Sequence, residues 1–490
     1  MSYILSIDQG TTSTRAILFN HEGEIVGVAQ KEVNCFFPKS GWVEQDALEI
    51  WISVTYVISE VLIRGNISFD QIDSIGITNQ RETSVIWDKK TGLPIANAIV
   101  WQSRQSAEIC DKLIDKKDFI HERTGLLINP YFSASKVRFI LDSVEGAQER
   151  AEKGELMFGT IDSWLIYKLT NGKVHATDVS NASRTLIYNI KTMSWDEELC
   201  KLFNIPMCML PAVKPCSYDF GEAYFFPGNV HIMGVAGDQQ AALFGQTCYE
   251  KGECKNTYGT GCFMLMNIGE EITLSKNGLL TTVAWQIGDK VTYALEGSVF
   301  IGGAVVQWLR DGLEMIPSSK DCEAIARKDD SSHGVYVVPA FTGLGTPYWD
   351  DDARGAVFGL TRNTTRARFV RACLDAIAYQ CKDVFSVMEE ETGLSIKSLR
   401  VDGGATANNL LMQFQSDILD SEIKLPKCLE TTALGVAYLA GLASGFYKDF
   451  NDIKSVHSYQ KEFKPNMSKE EVDRLYSGWK KAVQATLLFK

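Results

Sequence analysis

The chain has 490 residues, 45% of them hydrophobic and 22% charged, a composition that fills a sizeable core and predicts two or more domains. A net charge of −12 gives no general reason to expect a nucleic-acid or anionic-membrane partner, so any phosphate site must be a local basic or N–H-rich pocket. Twelve scattered cysteines with no Cys-x-x-Cys pair, no basic N-terminal region and no run of ~18 apolar residues predict a cytoplasmic protein with reduced thiols and no membrane insertion.

In chain order, residues 3–7 read as a short buried strand that ends on Asp8. A turn follows with Gly10 and the hydroxyls of Thr11, Thr12, Ser13 and Thr14, then Arg15 and a second apolar run over 16–19. This is a hairpin. Its N–H groups, hydroxyls and arginine are the groups that bind phosphate oxygens, and Asp8 is placed to reach a hydrated Mg²⁺. An ordinary polar turn is the alternative.

Residues 24–33 continue as a strand. Asp46 can cap a helix that carries Leu48, Ile50, Trp51, Val54 and Ile58 on a helical period. A strand over 72–78 runs into Asn79-Gln-Arg-Glu-Thr83, and 84–87 and 98–102 are further strands. Charged groups at the ends of buried strands are where open α/β sheets hold ligands. Residues 105–118 and 133–153 read as helices, 158–169 as a strand end running into a helix, and 178–184 as polar loop. Residues 214–231 are turn-rich and irregular. A strand over 230–235 delivers Gly237-Asp-Gln-Gln240, with a helix starting at 241.

Near residue 250 the pattern restarts with a strand over 253–258, Gly259-Thr-Gly261, and a strand over 262–267. A strand over 399–402 ends on Asp402 and meets Gly403-Gly-Ala-Thr-Ala-Asn-Asn409. Strand ends with small Gly/Thr/Asn turns in both halves suggest internal duplication, with two α/β domains over 1–248 and 249–490 facing each other across a cleft. Residues 366–389 and 433–443 read as helices, and 464–490 as a charged amphipathic helix.

No Gly-x-x-x-x-Gly-Lys-Ser/Thr loop is present, since Gly172-Lys173 is followed by Val, and the six histidines are dispersed. Phosphate chemistry therefore rests on the turns at 8–15, 258–261 and 402–409. Arg81-Glu82 and Asp238-Gln239 form a second constellation. An adjacent Arg and Glu can donate to one hydroxyl and accept from the next, which suits a polyol. Asp238 can accept a proton from an attacking hydroxyl. A structural Arg81–Asp238 ion pair is the alternative.

Six separated segments carry a resemblance: 8–15, 76–83, 237–245, 256–263, 341–350 and 400–409. Together they resemble the FGGY carbohydrate kinases of the actin-like ATPase superfamily, and within it the members that phosphorylate glycerol. The resemblance implies two actin-like (ribonuclease H-like) α/β domains with mixed sheets across a nucleotide-binding cleft. It implies the reaction ATP + glycerol → ADP + sn-glycerol 3-phosphate, with Mg²⁺. Arg81, Glu82, Tyr131, Asp238 and Gln239 would hold glycerol hydroxyls, Trp101 and Phe263 would pack on its carbons, and Asp238 would be the general base. Thr11, Thr12, Ser13 and Arg15, joined by Thr260, would grip the phosphates. Gly303, Gln307, Gly404 and Asn408 would line the nucleotide site, and Asp8 would hold the metal through water. Relatives are often dimers or tetramers, so a homo-oligomer is implied. Residues 221–231 carry neither the Gly-Gly…Arg loop that binds fructose 1,6-bisphosphate in some relatives nor the His-Phe-Tyr-Gly loop that others phosphorylate; Phe225 stands at that His. A pentulose kinase and an actin-like ATP-binding scaffold are the rival readings.

Overall fold

The computed structural model describes residues 2–224, 228–350 and 352–489; Phe225 lies outside them. The first sheet holds β1 (Tyr3–Gln9), β2 (Ser13–Phe19), β3 (Ile25–Glu32), β4 (Ile72–Asn79) and β5 (His231–Gly237), in the order β5-β4-β1-β2-β3. β1 and β2 pair antiparallel with Asp8 opposite Arg15, while β4 and β5 join parallel on the other side.

The second sheet comprises β6 (Cys254–Tyr258), β7 (Cys262–Gly269), β8 (Leu280–Ile287), β9 (Lys290–Val299), β10 (Ser398–Asp402), β11 (Glu422–Pro426) and β12 (Tyr459–Phe463). Its order is β8-β9-β7-β6-β10-β11-β12. The inner five strands repeat the order and sense of the first sheet: a β6–β7 hairpin, β9 antiparallel beside it, then β10 and β11 parallel. The repeated hairpins bring the turns at 10–12 and 259–261 to equivalent sheet positions.

Helix α1 (Ala47–Gly65) begins where Asp46 accepts the Leu48 N–H at 2.8 Å and ends at Asn66 in the left-handed region. Its Ile50, Val54, Val57, Ile58 and Val61 are fully buried in the same apolar cluster as β1 and β2. α2 (Asp238–Gly245), α3 (Arg366–Thr392), α4 (Asn409–Leu419), α5 (Thr431–Ser444) and α6 (Lys469–Leu488) complete the frame. α5 belongs to the second half of the chain but packs on the first sheet, where Ser6 Oγ donates to Ala433 O at 2.8 Å. It can do so because α2 and α5 touch through glycines. A Cβ on Gly435 would stand 1.8 Å from Ala241 O, and one on Gly245 2.0 Å from Thr431 O.

Four expected elements differ. Residues 98–102 form a strand only at Ala98–Ile99, after which the chain turns so that Trp101 N donates to Thr83 Oγ1. The expected helix over 105–118 is broken into Ala107–Lys112 and Lys117–Thr124, joined by a short 3₁₀ turn. The expected helix over 133–153 is two helices, Ser133–Ser143 and Ala147–Glu152, because Val144 is extended and Gly146 sits at φ 72°. Residues 178–184, expected as polar loop, are buried and largely helical. Asp178 caps a buried helix Val179–Ala182, pinned by Gly237 N→Ser180 Oγ at 2.9 Å and Ser183 Oγ to Thr282 Oγ1 at 2.9 Å.

Candidate functional site

The end of β4 and the start of α2 converge on one cluster. β5 ends at Gly237, so Asp238 and Gln239 stand in the first turn of α2, one turn earlier than the helix start expected from sequence. Arg81 Nε lies 3.2 Å from Asp238 Oδ1, and Gln239 N donates to that same oxygen at 2.7 Å. Among the described residues both contacts fall on Oδ1, which leaves Oδ2 free to accept a proton. The Asp238 side chain is 32% exposed on the cleft floor. Burial pushes its carboxyl pKa up, opposed by Arg81 and Lys255.

Arg81 is nearly sealed, at 2% exposure. Its Nη1 donates to Glu296 Oε2 at 2.5 Å and to Gln240 Oε1 at 3.2 Å; its Nη2 donates to Glu296 Oε1 at 3.0 Å and to Tyr131 OH at 3.3 Å. Arg184 donates to Glu82 Oε1 at 2.7 Å and to Glu296 Oε1 at 3.0 Å. Burial alone would raise the Glu296 carboxyl, but the guanidiniums of Arg184 and Arg81 outweigh it and hold it at about 2. Glu82 has φ 61°, rare for a residue with a side chain, and its carbonyl is held by the hydroxyls of Ser84 and Ser133, each at 3.0 Å. Strain held by hydrogen bonds is a mark of a functional turn.

An aromatic wall closes the cluster. The Trp101 ring centroid lies 5.6 Å from Tyr131 and 6.4 Å from Phe263, both edge-on. The Trp101 indole Nε1 donates to Thr11 Oγ1 at 2.8 Å, tying this wall to the β1–β2 turn. Buried glutamines brace the same turn: Gln45 Nε2 donates to Thr11 O at 2.6 Å, and Gln80 Nε2 to Gln45 Oε1 at 2.8 Å and Gln9 Oε1 at 3.1 Å.

At that turn Thr12 is exposed and Ser13 half-buried. Arg15 is turned to Glu430, at the head of α5, with Nη1 to Oε2 at 2.8 Å. Asp8 is the penultimate residue of β1, and desolvation, opposed by Arg15, pushes its carboxyl up to about 7.

Across the cleft a cavity of about 610 Å³ is lined by Thr260, Gly303, Gln307, Gly404 and Asn408, together with Val306, Leu374 and Leu411. All five residues expected at the nucleotide from the second half of the chain line it. Gly403, at φ 92°, lets the 402–409 turn approach Tyr258, where a Cβ would meet Tyr258 O at 2.5 Å. Asn408 caps α4 by accepting the Leu411 N–H at 3.0 Å. Ser319, Lys320 and Glu323 also line the cavity and had no sequence signal.

Sequence reasoning missed Arg184, Gln240, Lys255 and Glu296. Two signals were available. Glu296 is a lone carboxylate within the apolar run of β9, where a charge must have a partner. Lys255 lies one residue before the conspicuous 256–263 segment.

The geometry agrees with comparisons to known proteins. The model of the N-terminal domain of the FGGY family of carbohydrate kinases matches residues 3–245, and that of the C-terminal domain matches residues 254–444. A glycerol kinase of Geobacillus sp. (strain WCH70) is 60% identical over 493 residues, covering 100% of this chain and 99% of that protein. The structure of Plasmodium falciparum glycerol kinase with ADP is similar at a TM-score of 0.93 and 38% identity, over 99% of this chain and 98% of that one. A xylulose kinase from Lactobacillus acidophilus, at 21% identity and a TM-score of 0.88 over 99% of this chain and 98% of that one, shares the fold.

Proposed function

The chain belongs to the FGGY family of carbohydrate kinases, and from that premise we infer that it transfers the γ-phosphoryl group of ATP to glycerol, giving ADP and sn-glycerol 3-phosphate. The observation that carries this reading is the recess in which Arg81, Glu82, Asp238 and Gln239 are closed in by Trp101, Tyr131 and Phe263. Its polar groups alternate donor and acceptor, as adjacent hydroxyls require. In this reading the bulky rings at 101 and 263 restrict the acceptor to a short carbon chain.

In this reading Asp238 is the general base. A primary alcohol is too weak an acid to be deprotonated in the ground state, so a carboxylate helps chiefly as charge leaves the attacking oxygen. Oδ2 takes that proton while Arg81 and Gln239 N hold Oδ1. Arg81, Glu82, Tyr131 and Gln239 bind the hydroxyls, and Trp101 and Phe263 cover the carbons. Thr11, Thr12, Ser13 and Arg15 hold the β/γ-phosphates from one side and Thr260 from the other. Arg15 must exchange Glu430 for phosphate. Gly303, Gln307, Gly404 and Asn408 line the adenosine side, in a cavity of suitable size.

Mg²⁺ suits Asp8, a half-buried hard oxygen donor beside the 10–12 turn, where desolvation disfavours its charge despite Arg15. When bound, the ion would neutralise charge on the β- and γ-phosphate oxygens. Closing the two halves excludes water, the competing nucleophile. A division at residues 248–249 belongs to the same reading, supported by the change of sheet between β5 and β6.

The test is ADP release from Mg-ATP with glycerol, xylulose, ribulose, gluconate or no acceptor. Release driven by glycerol and lost without Mg²⁺ is expected. Preference for a longer acceptor would refute the role assigned to the aromatic wall, and indifference to acceptor would point to an ATP-binding scaffold.

A further inference from the structure

Lys255 lies on β6 in the second sheet and has no exposed surface. Its Nζ donates to Gln239 Oε1 at 2.5 Å, to Thr257 Oγ1 at 2.9 Å and to Phe263 O at 3.3 Å. An ammonium has three donors and no acceptor, so these contacts use it completely. A buried lysine is costly, and an apolar residue of similar length would fill the strand at less cost, so packing does not account for it.

The partners do account for it. Gln239 stands on α2 at the first sheet, and Phe263 is part of the aromatic wall on the second. Because an ammonium only donates, the Gln239 oxygen must face Lys255, and its NH₂ is turned away. Asp238 beside it offers a free carboxylate oxygen. The pair therefore presents an N–H donor next to an acceptor, the complement of a hydroxyl that donates to one and accepts from the other.

We propose that Lys255 is a positioning residue for the acceptor: it fixes the Gln239 amide with NH₂ toward the cleft and holds the Phe263 main chain against it. This rests on the reading of Gln239 as a hydroxyl-binding residue. Lys255 itself need not touch the acceptor. It sets what kind of group the recess accepts, a hydroxyl whose oxygen is free to receive a hydrogen bond.

The experiment compares full-length wild type, K255M, K255R, Q239L and K255M/Q239L in steady state with glycerol, 1,2-propanediol and 1,3-propanediol. K255M is expected to raise the glycerol KM about tenfold with a smaller fall in kcat. It should also reduce the preference for glycerol over the diol lacking the hydroxyl that Gln239 binds. K255R should restore most of both, and the double variant should be no worse than Q239L, because the two residues act as one unit. A wild-type glycerol KM in K255M, an unchanged KM in Q239L, or additive effects in the double variant would each overturn the proposal. A merely structural lysine would lower the melting temperature and kcat without changing discrimination between the diols. If K255M does not fold, K255Q serves instead: its amide can accept as well as donate, so the orientation of the Gln239 amide is no longer dictated and the preference for glycerol over the diol should still fall. Failure of wild type to release ADP with glycerol would instead refute the assigned function, so the two failures are distinct.

Discussion

Replacing Glu296 by Gln should destabilise the protein by about 3 kcal/mol at neutral pH, for a reason that two routes reach separately. Glu296 is wholly buried and accepts Arg81 through both oxygens, at 2.5 and 3.0 Å, and Arg184 at 3.0 Å. A carboxyl that moves from an ordinary 4.5 to about 2 on folding adds about 3 kcal/mol above both values. Removing one partner of a buried ion cluster costs about 3–5 kcal/mol, because the remaining charge stays buried. Glutamine keeps the volume and one acceptor oxygen, which favours the lower end. The sign with pH follows from the depressed value: the contribution is complete above 4.5 and disappears as pH falls toward 2. Urea unfolding of wild type and E296Q at pH 7 and pH 3 reads the difference between them, which cancels the other carboxyls that titrate in the same window. A gap near 3 kcal/mol at pH 7 that narrows at pH 3 is expected. A gap below about 1 kcal/mol at pH 7, or one independent of pH, would show that the guanidiniums do not depend on this carboxylate.

D238N should keep glycerol and ATP binding but lose about 10²–10⁴ in kcat, read by calorimetric binding alongside turnover; wild-type turnover would remove Asp238 as the base. W101F keeps an aromatic wall but loses the 2.8 Å bond that fixes the Thr11 hydroxyl. The KM for Mg-ATP should rise about fivefold, the worth of one neutral hydrogen bond, with a smaller change for glycerol; the reverse order would refute the link. G435A places a methyl 1.8 Å from Ala241 O and must separate α2 from α5. A loss of about 1–3 kcal/mol in thermal unfolding is expected, with kcat falling because Asp238 rides on α2; an unperturbed melting temperature would contradict the close crossing.

The Asp8–Arg15 hairpin, the strand ends near Asp8, Arg81 and Asp402, the strand that delivers Asp238 and the cap at Asp46 were legible because each is a local matter. Apolar alternation, a tight Gly/Thr turn and a capping side chain act over a few residues. The repeat of strand and turn also disclosed the duplication, since both sheets use the same opening hairpin. Tertiary structure alone decided the rest. Residues 178–184 look like polar loop because five of the seven are polar or charged, but they are buried between the two sheets, where Ser180 and Ser183 find partners distant in sequence. Arg184 and Glu296 are 112 residues apart, and no spacing predicts that one carboxylate will hold both Arg184 and Arg81. Lys255 joins Gln239 to Phe263 only because α2 and the β6–β7 hairpin meet across the cleft. The short-range code thus specified which groups the chain presents at its strand ends. Burial brought them together, and in doing so set the charge, orientation and strain with which they can act.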